Sequence, residues 1–76
     1  MSSAAKSLSR ILRLKRVREK TGISEASIYN KLNPCSKYYD PSFPKQIRLG
    51  AASVGWLESE VDAWIAARAE SRNAVV

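Results

Sequence analysis

Seventy-six residues with one cysteine, no histidine and a formal charge of +6 allow one small domain, without an internal disulfide or a zinc site of the usual ligand spacing. No apolar run approaches ~18 residues, and Met1 to Ser9 lacks the apolar segment of a signal peptide, so a reducing, cytoplasmic setting with no membrane partner is expected. With no histidine to act as a base near neutral pH, and three glycines that form no phosphate-binding loop, the chain is expected to be no enzyme and to need no cofactor, metal or small-molecule substrate.

Residues 1–9 are polar, rich in Ser and Ala, and without period; a disordered arm is expected there, ahead of one domain over 10–71. Ile11-Leu12-Arg13-Leu14 is a short apolar run that reads as a first strand or an extended lead-in. A first helix follows from Lys15 to about Lys20, with Leu14, Val17 and Thr21 at helical spacing and Gly22 to close it with a positive φ. Lys15, Arg16, Arg18 and Lys20 are left on its outer faces.

Ser24 is a good N-cap for a second helix, and Ile23 and Ile28 then stand at the spacing of a hydrophobic staple. Ile28 and Leu32 define the inward face, which leaves Ala26 and Asn30 pointing outward with Ser27 and Tyr29 on the flanks. A small, uncharged, hydrogen-bonding outer face suits a helix that enters a groove; a short core helix of any small α domain is the plainer alternative. Asn33-Pro34 ends it sharply. Two short helices joined by a tight turn containing Gly make a helix-turn-helix, and the second is the candidate recognition helix.

Pro34 to Pro44 holds three prolines and no period, and reads as loop. Its Tyr38, Tyr39 and Phe43 are expected to pin it to the body. Lys45 to Leu49 alternates polar and apolar as a strand, Gly50 to Ser53 is a turn, and Val54-Gly55-Trp56 is a return strand. This hairpin reads as a wing, with Ile47, Leu49 and Trp56 toward the body and Lys45, Gln46 and Arg48 outward. The last helix covers roughly Glu58 to Ser71. Leu57, Val61, Trp64 and Ile65 form its apolar stripe, Arg68 stands at the stripe's end, and Trp64 is assigned to the core. Residues 72–76 read as a frayed tail.

Charge divides along the chain. Residues 1–20 carry seven Lys or Arg against Glu19 alone, whereas residues 51–76 carry Arg68 and Arg72 against Glu58, Glu60, Asp62 and Glu70. A basic front and an acidic back suggest one surface facing a polyanion and one turned away from it. A basic face that is merely solvated is the alternative.

Ser24-x-x-Ser27-Ile28-Tyr29, Tyr39-Asp40-Pro41-x-Phe43-Pro44-Lys45, Ile47-x-Leu49-Gly50 and Val54-Gly55-Trp56-Leu57-Glu58-Ser59-Glu60-Val61-Asp62-Ala63-Trp64-Ile65 together resemble the AlpA-type phage regulatory proteins. The resemblance runs from about Arg13 to Arg68. It implies a MerR-like, excisionase-like winged helix-turn-helix of class α+β, mainly α, with three helices and a two- or three-stranded wing hairpin. It also implies that the helix over about 24–32 reads DNA, with Ser27 and Tyr29 at contact positions, and that 45–56 is the wing. Asn30 stands where a basic residue is common in the family.

The function expected is that of a sequence-specific double-stranded DNA-binding regulator of a prophage or integrated element, in transcription control or as an excisionase-like directionality factor. Ser27 and Asn30 are the expected base readers in the major groove. Tyr29, Lys31, Arg16 and Arg18 are assigned to phosphates, Lys45 and Arg48 to the wing contact, and Lys15, Ser24 and Ala26 complete the interface. One module of this kind buries only ~600–1,000 Å², so further copies on adjacent sites are expected. The rival reading is a small inhibitor or adaptor that docks on an integrase or another regulator through its acidic last helix.

Overall fold

The chain enters the fold as a strand only two residues long. In the computed structural model, which describes residues 10–75, β1 (Ile11–Leu12) leads through α1 (Leu14–Thr21), α2 (Glu25–Leu32), β2 (Ile47–Arg48) and β3 (Val54–Leu57) into α3 (Glu58–Val75). Three helices and a three-stranded antiparallel sheet of order β1-β3-β2 form an α+β winged helix-turn-helix. The predicted arm, residues 1–9, lies outside the described residues. No described helix is long and apolar enough to cross a membrane.

Helix α1 begins at Leu14, one residue earlier than the periodicity suggests. The Arg13 carbonyl accepts from the N–H groups of Arg16 and Val17 at 3.0 and 3.1 Å, and no side chain caps this end. Gly22 takes the expected left-handed conformation, with φ 73°, and its N–H donates to the Arg18 carbonyl at 2.8 Å. The preceding residue adds a lock that spacing did not reveal. The Thr21 hydroxyl donates back to the Val17 carbonyl at 2.7 Å and accepts from the Ile23 N–H at 3.2 Å. The angle between α1 and α2 is thereby fixed locally.

In the sheet, Ile11 faces Leu57 and Leu12 faces Trp56 on one side of β3, while Ile47 faces Gly55 and Arg48 faces Val54 on the other. The sequence read β3 as the return strand of a two- or three-stranded wing and the run from Ile11 to Leu14 as a first strand or lead-in; β3 is the central strand, and the third strand is β1. Gly55 makes this possible. A Cβ there would stand 2.6 Å from Ile11 Cγ2, 3.0 Å from the Leu12 carbonyl oxygen and 3.1 Å from Leu49 Cδ1.

Register also corrects the wing's facing. Directly paired residues share a sheet face and neighbours along a strand alternate. Ile47 therefore lies on the Gly55 face, as does Leu49 two residues on, opposite to Trp56. Of the three residues expected to face the body, only Trp56 does so fully, and Leu49 is 44% exposed. Arg48 falls on the Trp56 face but beyond the end of the core, where it is exposed, and it donates to the Ala51 carbonyl at 3.3 Å.

Leu12, Val17, Ile28, Phe43, Trp56 and Val61 are buried together, with Leu14, Ile23, Leu32, Trp64 and Ile65 packed against them. Every element except β2 contributes to this core, and Trp56 satisfies its indole N–H on the Pro44 carbonyl at 3.2 Å. The loop aromatics divide. Phe43 is buried and pins the loop as expected, but Tyr38 and Tyr39 are exposed. Their chain segment is held by backbone turns instead: the Ser36 N–H donates to the Asn33 carbonyl and the Tyr39 N–H to the Ser36 carbonyl. Helix α3 runs past Ser71 to Val75.

Candidate nucleic-acid interface

Helix α2 owes its position to both of its ends. Ser24 caps it as predicted, accepting from the Ser27 N–H at 3.2 Å while its own hydroxyl donates to Ser27 Oγ at 3.1 Å. Beyond Leu32, the Asn33 side chain accepts from the Cys35 N–H at 2.9 Å, and the Asp40 N–H returns to the Lys31 carbonyl at 3.0 Å. Ile28 is fully buried and anchors the helix on the core.

The outward residues then fall into two groups. Glu25, Ala26 and Tyr29 are exposed. Ser27, Asn30 and Lys31 are half-buried and form one wall of an open concavity, whose other wall is Tyr38 of the loop with Trp64 and Arg68 of α3. Asn30 is thus less exposed than its place on the wheel suggests, because Ser36 folds back over it and donates to its Oδ1 at 3.5 Å.

Trp64 packs against the core, as expected of it, and also lines this concavity. It is half-buried, and part of its surface is left to the concavity. Phe43 meets its ring edge-on at a centroid distance of 5.0 Å, and its indole N–H donates to Asp40 Oδ2 at 3.3 Å. Lys31 Nζ stands 5.7 Å and Arg68 Cζ 5.9 Å from the ring centroid, within cation–π range. Asp40 holds the arrangement from below. Its Oδ1 accepts from the Ser42 hydroxyl at 2.6 Å and the Ser42 N–H at 2.9 Å. Those bonds, with smaller help from Trp64 and the Lys31 charge, keep its carboxyl below the ordinary carboxylate value, against the opposing effect of partial burial.

The predicted basic residues are not one patch. Lys15 and Arg18 line a second concavity with Glu19, Gly22, Ile23 and Ser24, beside the N-terminus of α2. Arg16 lies apart from them, with Arg10, Arg13 and Glu58 near β1, and its Nε is 3.9 Å from Glu19. Lys20 binds Glu58 at 3.1 Å and Asp62 at 3.0 Å, which raises its pKa and ties α1 to the start of α3. These two carboxylates, read from sequence as complements to the helix dipole, are therefore also interhelical partners. Lys45 borders Lys31, Tyr39 and Asp40 on one side and Glu60 and Ala63 on the other. Among the described residues, Lys15, Arg18, Lys31, Lys45, Arg48 and Arg68 have no carboxylate within ion-pairing distance.

Arg68, Tyr38 and the exposed edge of Trp64 are what sequence reasoning missed around α2. A signal for Arg68 existed. It stands four residues after Trp64 on the inner stripe of α3, so it faces α2 rather than the acidic back. Among the described residues, no group of metal-ligating side chains converges.

Comparison with known proteins adds an independent line. The profile of the family described as "Prophage CP4-57 regulatory protein (AlpA)" matches residues 10–69. The "DNA-binding transcriptional activator AlpA" of Escherichia coli (strain K12) is 54% identical over 59 residues, which cover 78% of this chain and 84% of that protein. "Uncharacterized protein ORF88" of Enterobacteria phage P4 is 38% identical over 63 residues, 83% of this chain and 65% of that protein. No solved structure matches at a significant level.

Proposed function

The chain belongs to the AlpA family of prophage regulatory proteins, and from that premise we propose that it is a sequence-specific double-stranded DNA-binding regulator of a prophage or integrated element. The observation that carries this reading is the setting of α2. Apart from Glu25 in its first turn, its outward residues Ala26, Ser27, Tyr29 and Asn30 are uncharged, while cations without carboxylate partners stand at both of its ends. A helix so placed can lie in a major groove and leave the phosphates to its neighbours.

In this reading Ser27 and Asn30 read base edges and Tyr29 and Lys31 meet the backbone. Lys15 and Arg18, beside Ser24, hold phosphates where α2 begins. Arg16, set apart near β1, makes a peripheral phosphate contact. Lys45 and Arg48 bring the wing to backbone or minor groove. The relative named a transcriptional activator favours transcription control, and the same surface would serve excision if the sites flank an attachment site. Protection of promoter DNA by footprinting supports the first role, and protection beside an integrase gene the second. Further copies on adjacent sites follow from the small area that one module can bury.

The rival adaptor reading rests on the acidic residues of α3, and it loses force because Glu58 and Asp62 are engaged by Lys20. Duplex binding across a salt series decides between the two. Several phosphate contacts make affinity fall steeply as salt rises. Asn30→Ala is expected to cost ~1–3 kcal/mol on the cognate site alone, and Lys45→Ala to weaken binding to all sequences alike. Equal losses on cognate and random DNA for Asn30→Ala would remove it as a reader. No duplex binding at low salt would overturn the DNA reading.

A further inference from the structure

We infer that the DNA-contacting surface crosses from α2 onto α3, with Arg68 as a phosphate-binding residue that clamps the backbone strand opposite the one met by Lys15 and Arg18; this rests on the DNA-binding reading above. The sequence placed Arg68 in the helix that turns its acidic residues away from DNA. The structure puts it in the concavity formed with Ser27, Asn30 and Lys31, across from the proposed base readers.

Three features suit Arg68 to an anion. It is exposed and, among the described residues, has no carboxylate within ion-pairing distance, so its charge is unspent. Its guanidinium stands over the Trp64 ring, which orients the group without neutralising it. Trp64 is itself fixed, by Asp40 through the indole N–H and by Phe43 in a T-shaped ring contact. A planar guanidinium on an aromatic platform keeps its N–H groups pre-aimed, and that fork matches phosphate better than an ammonium does.

The wider arrangement points the same way. Lys31 shares the ring with Arg68, so two cations converge on one open concavity, and an anion between them would relieve their repulsion. Ile23 lines this concavity and also the one holding Lys15 and Arg18. The two concavities therefore meet at the start of α2, one lined by Lys15 and Arg18 of α1 beside Glu19, the other by Lys31 and by Arg68 of α3. A helix lying in a major groove ~12 Å wide has a phosphate strand on each side. One site for each strand is the pattern such docking requires.

The test uses the full chain, a duplex carrying its footprinted site, a random duplex of equal length, and anisotropy measured across a salt series. Arg68→Gln keeps most of the side-chain stem over Trp64, and Arg68→Lys keeps the charge. Loss of one phosphate contact lowers the salt slope by about one, which is roughly a 5- to 10-fold loss of affinity near 0.1 M salt. Arg68→Gln is expected to show that loss on both duplexes with its thermal midpoint unchanged, and Arg68→Lys is expected to retain the slope. Duplex binding is also expected to change tryptophan emission, and Trp64→Phe to abolish that change. If the wild type binds but Arg68→Gln folds and keeps both affinity and slope, the α3 contact is overturned and the DNA reading stands. If the wild type binds no duplex at low salt, the DNA reading itself falls.

Discussion

Gly55 shows how much can depend on a missing side chain. It lies in the central strand with Ile11 on one side and Leu49 on the other, and its hypothetical Cβ would overlap Ile11 Cγ2 at 2.6 Å. One neighbouring atom is backbone oxygen, which cannot swing aside as a side chain can. Gly55→Ala is therefore expected to destabilise the fold by ~1–3 kcal/mol, the usual cost of overpacking. At about 4–8 °C per kcal/mol for a domain of this size, a thermal melt resolves it easily. Gly50, with nothing within 4 Å of its would-be Cβ, supplies the contrast, and Gly50→Ala should melt near the wild type. The need for Gly55 was not legible in the sequence, because the side chains that close over it come from a distant strand and from the wing turn.

Among the elements, α2 depends most on its cap. Eight residues are too few to hold a helix in water alone, so α2 persists through Ser24 at its start, Ile28 on the core and the Asp40 return at its end. Ser24→Ala removes the acceptor of the Ser27 N–H and should cost about 1 kcal/mol in denaturant unfolding, whereas Ser24→Asp should hold. An undiminished Ser24→Ala protein would mean that packing alone sets this end. The cap, the Gly22 turn and the Pro34 stop were legible because each is a local rule acting within a few residues. The wing was legible only in outline. Alternation predicted a strand over 45–49, but pairing survives only at Ile47–Arg48, since the turn begins at Leu49, whose N–H already donates to the Ser53 carbonyl at 2.8 Å.

At the scale of the molecule, Asp40 joins three parts. Its backbone closes the end of α2, its Oδ1 holds Ser42 in the loop, and its Oδ2 holds Trp64 of α3. Its carboxyl is below the ordinary value of 3.8 in the folded chain, so the folded state binds a proton less readily than the unfolded one. The stability it contributes is complete above that ordinary value and is lost as pH falls through the lower folded one. Thermal midpoints followed from neutral pH into acid should fall less steeply for Asp40→Asn than for the wild type. Parallel curves would show that Asp40 does not set the acid limit. Lys20 has the opposite sign. Glu58 and Asp62 raise it above 10.5, so its contribution is present below that value and is lost as pH rises through the folded one. The pair is exposed, and salt should weaken it.

Local chemistry therefore determined the helix-turn-helix, with its turn at Gly22, its cap at Ser24 and its stop at Pro34, and it determined the apolar stripe of the last helix. Each of these follows from backbone sterics, capping or periodicity over a few neighbouring residues, and needs no knowledge of the rest of the chain. Tertiary structure alone decided that the return strand of the wing lies at the centre of the sheet, that Gly55 must be glycine, and that Lys20 is taken up by Glu58 and Asp62. It also decided that Trp64 looks into an open concavity and that Arg68 faces α2. Those outcomes depend on which distant segments meet, and a charged side chain at the end of an apolar stripe takes its role from whatever the fold sets opposite it.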